Sequence, residues 1–398
     1  MTITLLSQIL FLGALTVVGL LLNRFLKLEL TLACLASGFI AGLFLTKINF
    51  DTGIRADNLR DIVFFIILPV LIFEAAWHLK PALLRRWLAP IIALATVGVL
   101  ASCFAMAGII YFAIDNPQNF PWIAALLTGS ILSATDPIAI VTQLRAIKAP
   151  DDLAVLFEGE SLFNDATAIV LFTLILAMAT GEIDTEENYL AYFSAVFFGG
   201  LLFGLVFGLI VTILCLLLAN SSATTLILTL SAFSSFYIAE HLIHVSGIMT
   251  VMVVALVTRF SFKELENDLA KGVSYTWGWL GMFFNNLLFC IMGLVITLGM
   301  FQEQWLAMLI AIIAALLART VAIFSCCLLI RPIKAVSLAW QTLLVWGGLR
   351  GAIAIALVLS LPISLPYWWI IQSMVFGVVI FSLLVQGTTN KRLLKTLN

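Results

Sequence analysis

The chain has 398 residues, of which 63% are hydrophobic and only 10% are charged, and its formal net charge is −1. Soluble domains average about 25% charged residues, so this composition excludes an ordinary soluble protein and indicates one embedded in a lipid bilayer. Its long apolar runs predict an all-α membrane protein, because the strands of a membrane barrel would be only ~10 residues long and would alternate in polarity. A near-neutral charge excludes nucleic acid as a partner, and six cysteines without a C-x-x-C pair predict neither a disulfide framework nor a zinc site.

Thirteen segments of the chain are long and apolar enough to be membrane-spanning helices, which need ~20 such residues. They are 3–23, 28–47, 61–78, 88–114, 121–144, 160–180, 190–219, 222–243, 246–260, 273–300, 303–330, 336–361 and 366–388. The longest connections are 48–60 and 261–272, so residues 1–398 are expected to form one transmembrane domain with no soluble regulatory domain. The segment 261–272 alternates charged and apolar residues and is predicted to be an interfacial helix.

The basic residues predict how the chain crosses the membrane. With the N-terminus outside, the inside connections carry 15 of the 20 Lys and Arg residues and the outside connections carry three. Because cytoplasmic loops are enriched in Lys and Arg, we expect a multi-pass protein of the cell membrane with its C-terminus in the cytoplasm. The two remaining basic residues, Arg319 and Arg350, lie within predicted spans, where a charge needs a partner.

The fifth segment contains Asp136 followed by Pro137. Proline removes a backbone donor and pushes the preceding residue out of helical geometry. The helix is therefore predicted to be interrupted near Asp136, which frees backbone carbonyls at the depth of the membrane. The alternative is a simple proline kink in which Asp136 bonds locally.

A second polar stretch, E-G-E-S-L-F-N-D-A-T at 158–167, stands at the predicted start of the sixth segment. Ser161 and Asp165 share one helix face, and Glu160 and Asn164 share another, rotated by about 100°. We expect the first face to ligate a cation and the second to hold an internal cationic partner. Glu158 is predicted to lie at the helix mouth, where an N-terminal capping role in water also fits it.

The twelfth segment contains G-G-L-R-G at 347–351, which is three glycines around Arg350. This pattern predicts a second interrupted helix, and Arg350 within it needs an anion. Glu160 is the expected partner, with Asn164 as a bridge. Interrupted helices seven spans apart indicate two inverted repeats of six helices, whose helices 5 and 12 cross at an ion site.

Four further signals are weaker. Glu74 in the third segment is expected to complete the ion site or guard its entry, unless it extends to the membrane interface. Arg319 in the eleventh is expected to counter a carboxylate or the carbonyl ends of a half-helix. Asn285 and its neighbour Asn286 are predicted to hydrogen-bond between helices. The histidines near Glu240, at positions 241 and 244, are predicted to be interfacial rather than metal ligands.

Two carboxylates, a serine and freed carbonyls form a site of hard oxygen ligands, which suits a small cation. A carboxylate that binds either a proton or a cation is sufficient for exchange of the two ions. The sequence has no ATP-binding motif, so we expect an ion gradient to drive the exchange. A cation channel is less favoured because the sequence lacks a filter-like repeat. An intramembrane aspartyl protease could use Asp136 and Asp165 as its two aspartates. The sequence around each of them lacks the pattern expected of such proteases, so we do not expect an enzyme.

Three stretches resemble the signature segments of one family: G-S-I-L-S-A-T-D-P-I-A at 129–139, E-G-E-S-L-F-N-D-A at 158–166 and W-G-G-L-R-G-A-I-A-I-A-L at 346–357. They are similar to those of the sodium/proton exchangers of the monovalent cation/proton antiporter superfamily, and most of all to the NhaP-like bacterial and archaeal branch. Their order, their spacing and the thirteen-span layout match over essentially the whole chain.

This resemblance implies a role for each site residue. Asp165 would bind the cation and the proton in turn. Asp136, the backbone carbonyl of Thr135 and Ser161 would complete the sodium site, with Glu74 standing where the family often has an acidic residue. A structural network would comprise Glu160, Asn164 and Arg350. The Asn164-Asp165 pair would go with electroneutral one-for-one exchange.

The resemblance also implies a homodimer. A dimerisation bundle would comprise roughly 1–80 and 190–300, and a core bundle of roughly 88–180 and 303–388 would move against it as an elevator. The implied substrates are sodium or lithium and protons, with no cofactor, while potassium stays open as an alternative cation. The long cytoplasmic regulatory tail of the animal relatives is not expected.

Overall fold

The computed structural model of the protein describes residues 2–48, 61–114, 120–182, 188–218, 220–262 and 268–397, nearly all of them helical. The helices in chain order are α1 (Thr2–Leu26), α2 (Leu30–Ile48), α3 (Val63–His78), α4 (Pro81–Ala113), α5 (Trp122–Ser133), α6 (Ile138–Ala146), α7 (Asp151–Thr180), α8 (Tyr189–Leu218), α9 (Ser221–Ile243), α10 (Gly247–Ser261), α11 (Asp268–Val295), α12 (Leu298–Ile330), α13 (Leu338–Gly347), α14 (Ala352–Leu359), α15 (Trp368–Phe381) and α16 (Gly387–Leu397).

Every predicted span coincides with one helix or with two short ones in succession. In the described part of the chain, seven helical stretches are by themselves long and apolar enough to cross a membrane. They are Pro81–Ala113, Asp151–Thr180, Tyr189–Leu218, Ser221–Ile243, Lys271–Val295, Leu298–Ile330 and Trp368–Leu394. Shorter apolar helices, among them α3 and α10, account for other predicted segments, so thirteen crossings stays a prediction.

Two predicted boundaries were wrong. Helix α7 begins at Asp151 and not at residue 160, so the stretch 158–167 lies in its interior. Asp151 and Asp152 occupy the first turn instead, where carboxylates suit the positive end of the helix dipole. The junction between α11 and α12 falls after Val295 rather than near residue 301. The polar residues just after residue 301 therefore lie inside α12 and not in a connection. The backbone of α12 is distorted among them, at Gln304.

The predicted interfacial helix at 261–272 is only partly described. Helix α10 ends at Ser261 and α11 begins at Asp268, while residues 263–267 lie outside the described residues. Residues 49–60 of the other long connection also lie outside them.

Both predicted interruptions are present, and they cross. Residues 134–137 separate α5 from α6, and residues 348–351 separate α13 from α14. The two interruptions meet where the backbone N–H of Asp136 donates to the carbonyl of Leu349 at 2.8 Å. A β-carbon on Gly351 would collide with the side chain of Asp136, so glycine is required for this close approach. The crossing of helices 5 and 12 is thereby confirmed.

The helices pack mainly within two groups. The first group contains α1–α3 and α8–α11, and the second contains α4–α7 and α12–α16. Small residues bring backbones together in the first group, because β-carbons on Gly38 of α2 and Gly293 of α11 would collide with the backbone of the opposite helix. Fewer contacts join the groups, chiefly those of α7 and α14 with the first group.

Candidate functional site

A cavity of about 420 Å³ lies between the two groups of helices and reaches the crossing of the interruptions. The second group lines it with Thr135, Asp136, Ser161 and Asp165. Side chains of the first group face them, including Glu74 and Asn285. The cavity therefore brings together all five residues predicted for the ion site.

Asp165 is the most deeply enclosed carboxylate that lines this cavity, with 8% of the residue exposed. It lies within α7, whose hydrogen-bonded backbone fixes it rigidly. Its Oδ1 atom is buried and has no hydrogen-bond partner among the described residues. Burying an oxygen without a partner costs free energy, so this atom is available to a ligand that supplies positive charge or a proton.

Ser161 and Asp136 are held by the interruption between α5 and α6. The hydroxyl of Ser161, one turn before Asp165, donates to the backbone carbonyl of Thr135. Oδ1 of Asp136 accepts from the backbone N–H of Ile138, the first residue of α6, at 2.9 Å. The local bond of Asp136 and the interrupted helix thus occur together, although from the sequence they were alternatives.

The predicted pairing of Glu160 with Arg350 is wrong. Glu160 instead accepts from Arg319 of α12, at 2.8 Å from Nη1 to Oε1 and 3.0 Å from Nη2 to Oε2. The Arg319 side chain has room to pass Gly348 because this glycine has no side chain. A β-carbon on Gly348 would lie 2.8 Å from Nε of Arg319. Of the two roles predicted for Arg319, countering a carboxylate is the main one. Its Nε and Nη2 also donate weakly to the carbonyl of Leu344.

Arg350 stabilises an open helix end instead. Its Nη1 donates to the carbonyls of Ser133 and Ala134, each at 3.0 Å, where α5 stops. These carbonyls have no partner within α5, because the last carbonyls of any helix lack one. The interruption of α5 thus provides acceptors that a sequence-based search for a carboxylate does not consider.

Asn164 joins the charged pair to the interruption. Its Nδ2 donates to Oε1 of Glu160 at 3.0 Å and to the hydroxyl of Thr135 at 3.2 Å. The predicted bridging by Asn164 is therefore present, but it connects Glu160 to Thr135 and not to Arg350.

Glu74 and Glu158 also line the cavity. Glu74 lies 3.2 Å from Nδ1 of His78 and is partly exposed. Glu158 pairs with Arg145 at the end of α6. Glu158 thus lies inside α7 rather than at its start, and among the described residues it makes no capping bond to a helix N-terminus.

The site offers only hard oxygen ligands and two carboxylates. Within the described ranges, no group of three or more His, Cys, Asp or Glu side chains could hold a metal ion. Such a site suits a small cation in transit more than a resident metal, since hard cations prefer carboxylate, hydroxyl and carbonyl oxygens.

Sequence reasoning assigned Asn285 to hydrogen bonding between helices. Its Oδ1 is instead buried without a partner among the described residues, and the residue lines the cavity. The sequence feature that could have indicated this position is the spacing of Asn285 from Gly278 and Gly281, which places all three on one face of α11.

Two interrupted helices that cross beside a buried carboxylate define a membrane transporter for ions. A family model described as "Sodium/hydrogen exchanger, transmembrane" matches residues 12–396, and the chain belongs to this family.

Individual relatives agree with the family. The chain is 33% identical to the Na(+)/H(+) antiporter ApNhaP of Aphanothece halophytica over 90% of its own length and 68% of that protein. It is 29% identical to the Na(+)/H(+) antiporter NhaP of Pseudomonas aeruginosa, over 92% and 90% of the respective lengths. The fold is that of the sodium proton antiporter MjNhaP1 of Methanocaldococcus jannaschii, with a TM-score of 0.85 and 21% identity over 99% of this chain and 100% of that one.

Proposed function

We propose that this member of the sodium/hydrogen exchanger family exchanges sodium, or lithium, for protons in a one-for-one, electroneutral cycle. The observation that carries the proposal is the buried carboxylate of Asp165, whose Oδ1 lacks a partner and which lines the cavity at the crossing. Membership of the family and the printed names of the relatives support the choice of ions.

Exchange follows from competition for Asp165. The ionised carboxylate binds a cation together with the carbonyl of Thr135, the hydroxyl of Ser161 and Asp136. Binding a proton removes the negative charge and releases the cation. An ionised carboxylate with no ion bound is costly in a low-dielectric interior. The site therefore moves across the membrane only with a cation or a proton bound. Exchange of one cation for one proton moves no net charge.

The two groups of helices support a model for the movement. The second group carries all the residues of the crossing, including the Glu160–Arg319 pair that connects α7 to α12. It would move as one body against the first group, which would form the interface of a homodimer. Arg145, in the last turn of α6 at the end predicted to be cytoplasmic, also lines the cavity, so the present conformation would be open to the cytoplasm.

Transport by the purified protein in proteoliposomes tests this function. A sodium gradient is imposed, internal pH is followed with a trapped dye, and the membrane voltage is clamped with potassium and valinomycin. We expect sodium to drive a pH change whose rate is independent of the clamped voltage. A pH change without sodium or lithium would contradict the choice of cation, and strong voltage dependence would contradict electroneutral exchange.

A further inference from the structure

Three residues that line the same cavity each carry a buried side-chain oxygen without a hydrogen-bond partner among the described residues. These oxygens are Oδ1 of Asp165 on α7, Oδ1 of Asn285 on α11 and Oγ1 of Thr31 on α2. Asp165 belongs to the group of helices that carries the crossing, whereas Asn285 and Thr31 belong to the opposite group. Each such oxygen raises the free energy of the empty site, and a cation between them would lower it.

The inward face of α11 determines where Asn285 lies. Gly278, Gly281, Met282 and Asn285 all line the cavity, and their spacing of three and four residues places them on one side of the helix. A β-carbon on Gly281 would lie 2.6 Å from Cγ of Glu74, so the Glu74 side chain rests directly on the α11 backbone. Asn285 follows one turn later, about 6 Å farther along the helix axis.

The cavity therefore contains successive oxygens along its first-group wall. Glu74 lies next to His78 and against Gly281, and Asn285 lies one turn beyond Gly281 on the same helix. Asn285 is 7% exposed, and no hydrogen bond of its side chain is present among the described residues. A cavity-lining side chain whose amide oxygen makes no bond among the described residues is suited to turn that oxygen toward a cation, or toward the water that the cation retains, in the proposed exchange.

We propose that Asn285 supplies a neutral oxygen ligand to the transported cation from the helix group opposite Asp165, and so sets the affinity and selectivity for cations. This inference rests on the proposed cation/proton exchange. An amide oxygen does not take up a proton near neutral pH, so Asn285 favours the cation alone in the competition at Asp165. It also ties cation binding to the relative position of the two groups.

The test compares Asn285→Leu with Gln372→Leu in proteoliposomes. Gln372 is an ideal control, because it is also a buried amide whose oxygen lacks a partner, but it does not line the cavity. Initial exchange rates are measured against sodium and against lithium at fixed pH. For Asn285→Leu we expect a KM for sodium raised about tenfold, a kcat within twofold of the parent and a changed ratio of the lithium and sodium KM values. Gln372→Leu should leave both KM values unchanged.

Asn285→Ser is measured alongside, so that the result does not depend on one variant folding. A shorter side chain withdraws the oxygen from the cavity and should also raise the KM. Unchanged sodium and lithium KM values in either folded Asn285 variant would overturn the inference while leaving exchange by the parent protein intact. Absence of cation-driven exchange in the parent itself would instead overturn the proposed function.

Discussion

Arg319 of α12 holds Glu160 of α7 through two hydrogen bonds of 2.8 and 3.0 Å, and both side chains are buried. Glu160 also accepts from Asn164, which in turn reaches the interruption of α5 and α6. The face of α7 that carries Glu160 is therefore fixed by charge, while the neighbouring face, which carries Asp165, keeps one carboxylate oxygen without a partner among the described residues.

Breaking this pair should destabilise the protein. Glu160→Gln leaves the buried charge of Arg319 uncompensated, and we expect a loss of about 3–5 kcal/mol in the free energy of unfolding. Combining it with Arg319→Met should cost less than the sum of the two single changes, because both charges are then gone. Thermal melting in detergent measures the effect. If Arg350→Met restored stability to Glu160→Gln instead, Arg319 would not be the partner.

Arg350 should matter for the helix end it caps. Arg350→Met leaves the carbonyls of Ser133 and Ala134 buried without their donor, at about 1–3 kcal/mol for each acceptor. We expect a clear fall in melting temperature and a partial recovery in Arg350→Lys, whose ammonium still donates. The matched control is Arg331→Met on the exposed end of α12, which should change stability by less than about 0.5 kcal/mol.

Asp165→Asn should abolish exchange, because an amide neither takes up a proton nor supplies the negative charge that holds a cation. Sodium-driven pH change in proteoliposomes measures it. Asp152→Asn tests an aspartate of the same helix, α7, which bonds to Arg86 and Trp87 away from the cavity. This control should retain exchange, and normal transport by Asp165→Asn would contradict the assigned site.

Ser161→Ala removes a neutral oxygen beside the cation, and we expect a KM for sodium raised about three- to tenfold with little change in kcat. Thr167→Val is the control on the same helix, since the hydroxyl of Thr167 donates to the carbonyl of Phe163 in its own helix and the residue does not line the cavity. Equal effects of the two changes on the sodium KM would indicate a general packing role for Ser161.

Competition at Asp165 predicts a definite pH dependence. Only the ionised carboxylate binds the cation, so the apparent KM for sodium should rise as pH falls. In the range where Asp165 is mostly protonated, each pH unit removes about nine-tenths of the ionised form, and KM should rise about tenfold per unit. The rate at saturating sodium should change far less. Sodium titrations at several equal internal and external pH values measure this, and a KM independent of pH would contradict a shared site.

The features of the fold and site that were predictable from the sequence are those set by local backbone preferences and helical periodicity. Pro137 forbids a continuous helix whatever surrounds it, and glycines beside Arg350 weaken a helix in the same way, so both interruptions followed from the sequence. The positions of Ser161 and Asp165 on one face follow from helical periodicity. Their placement with Asp136 and Glu74 around one cavity agrees with the ion site predicted from residue types.

The sequence by itself determined that the protein lies in a membrane, that two of its helices are broken and which oxygen-bearing residues were candidates for one ion site. The tertiary structure alone decided which arginine meets Glu160. Both arginines lie within apolar runs, and the choice depends on the long-range packing of α12 against Gly348 and on the carbonyls that α5 leaves open. It also decided that Asn285 faces the cavity, because a helix face acquires a direction only from the helices packed around it.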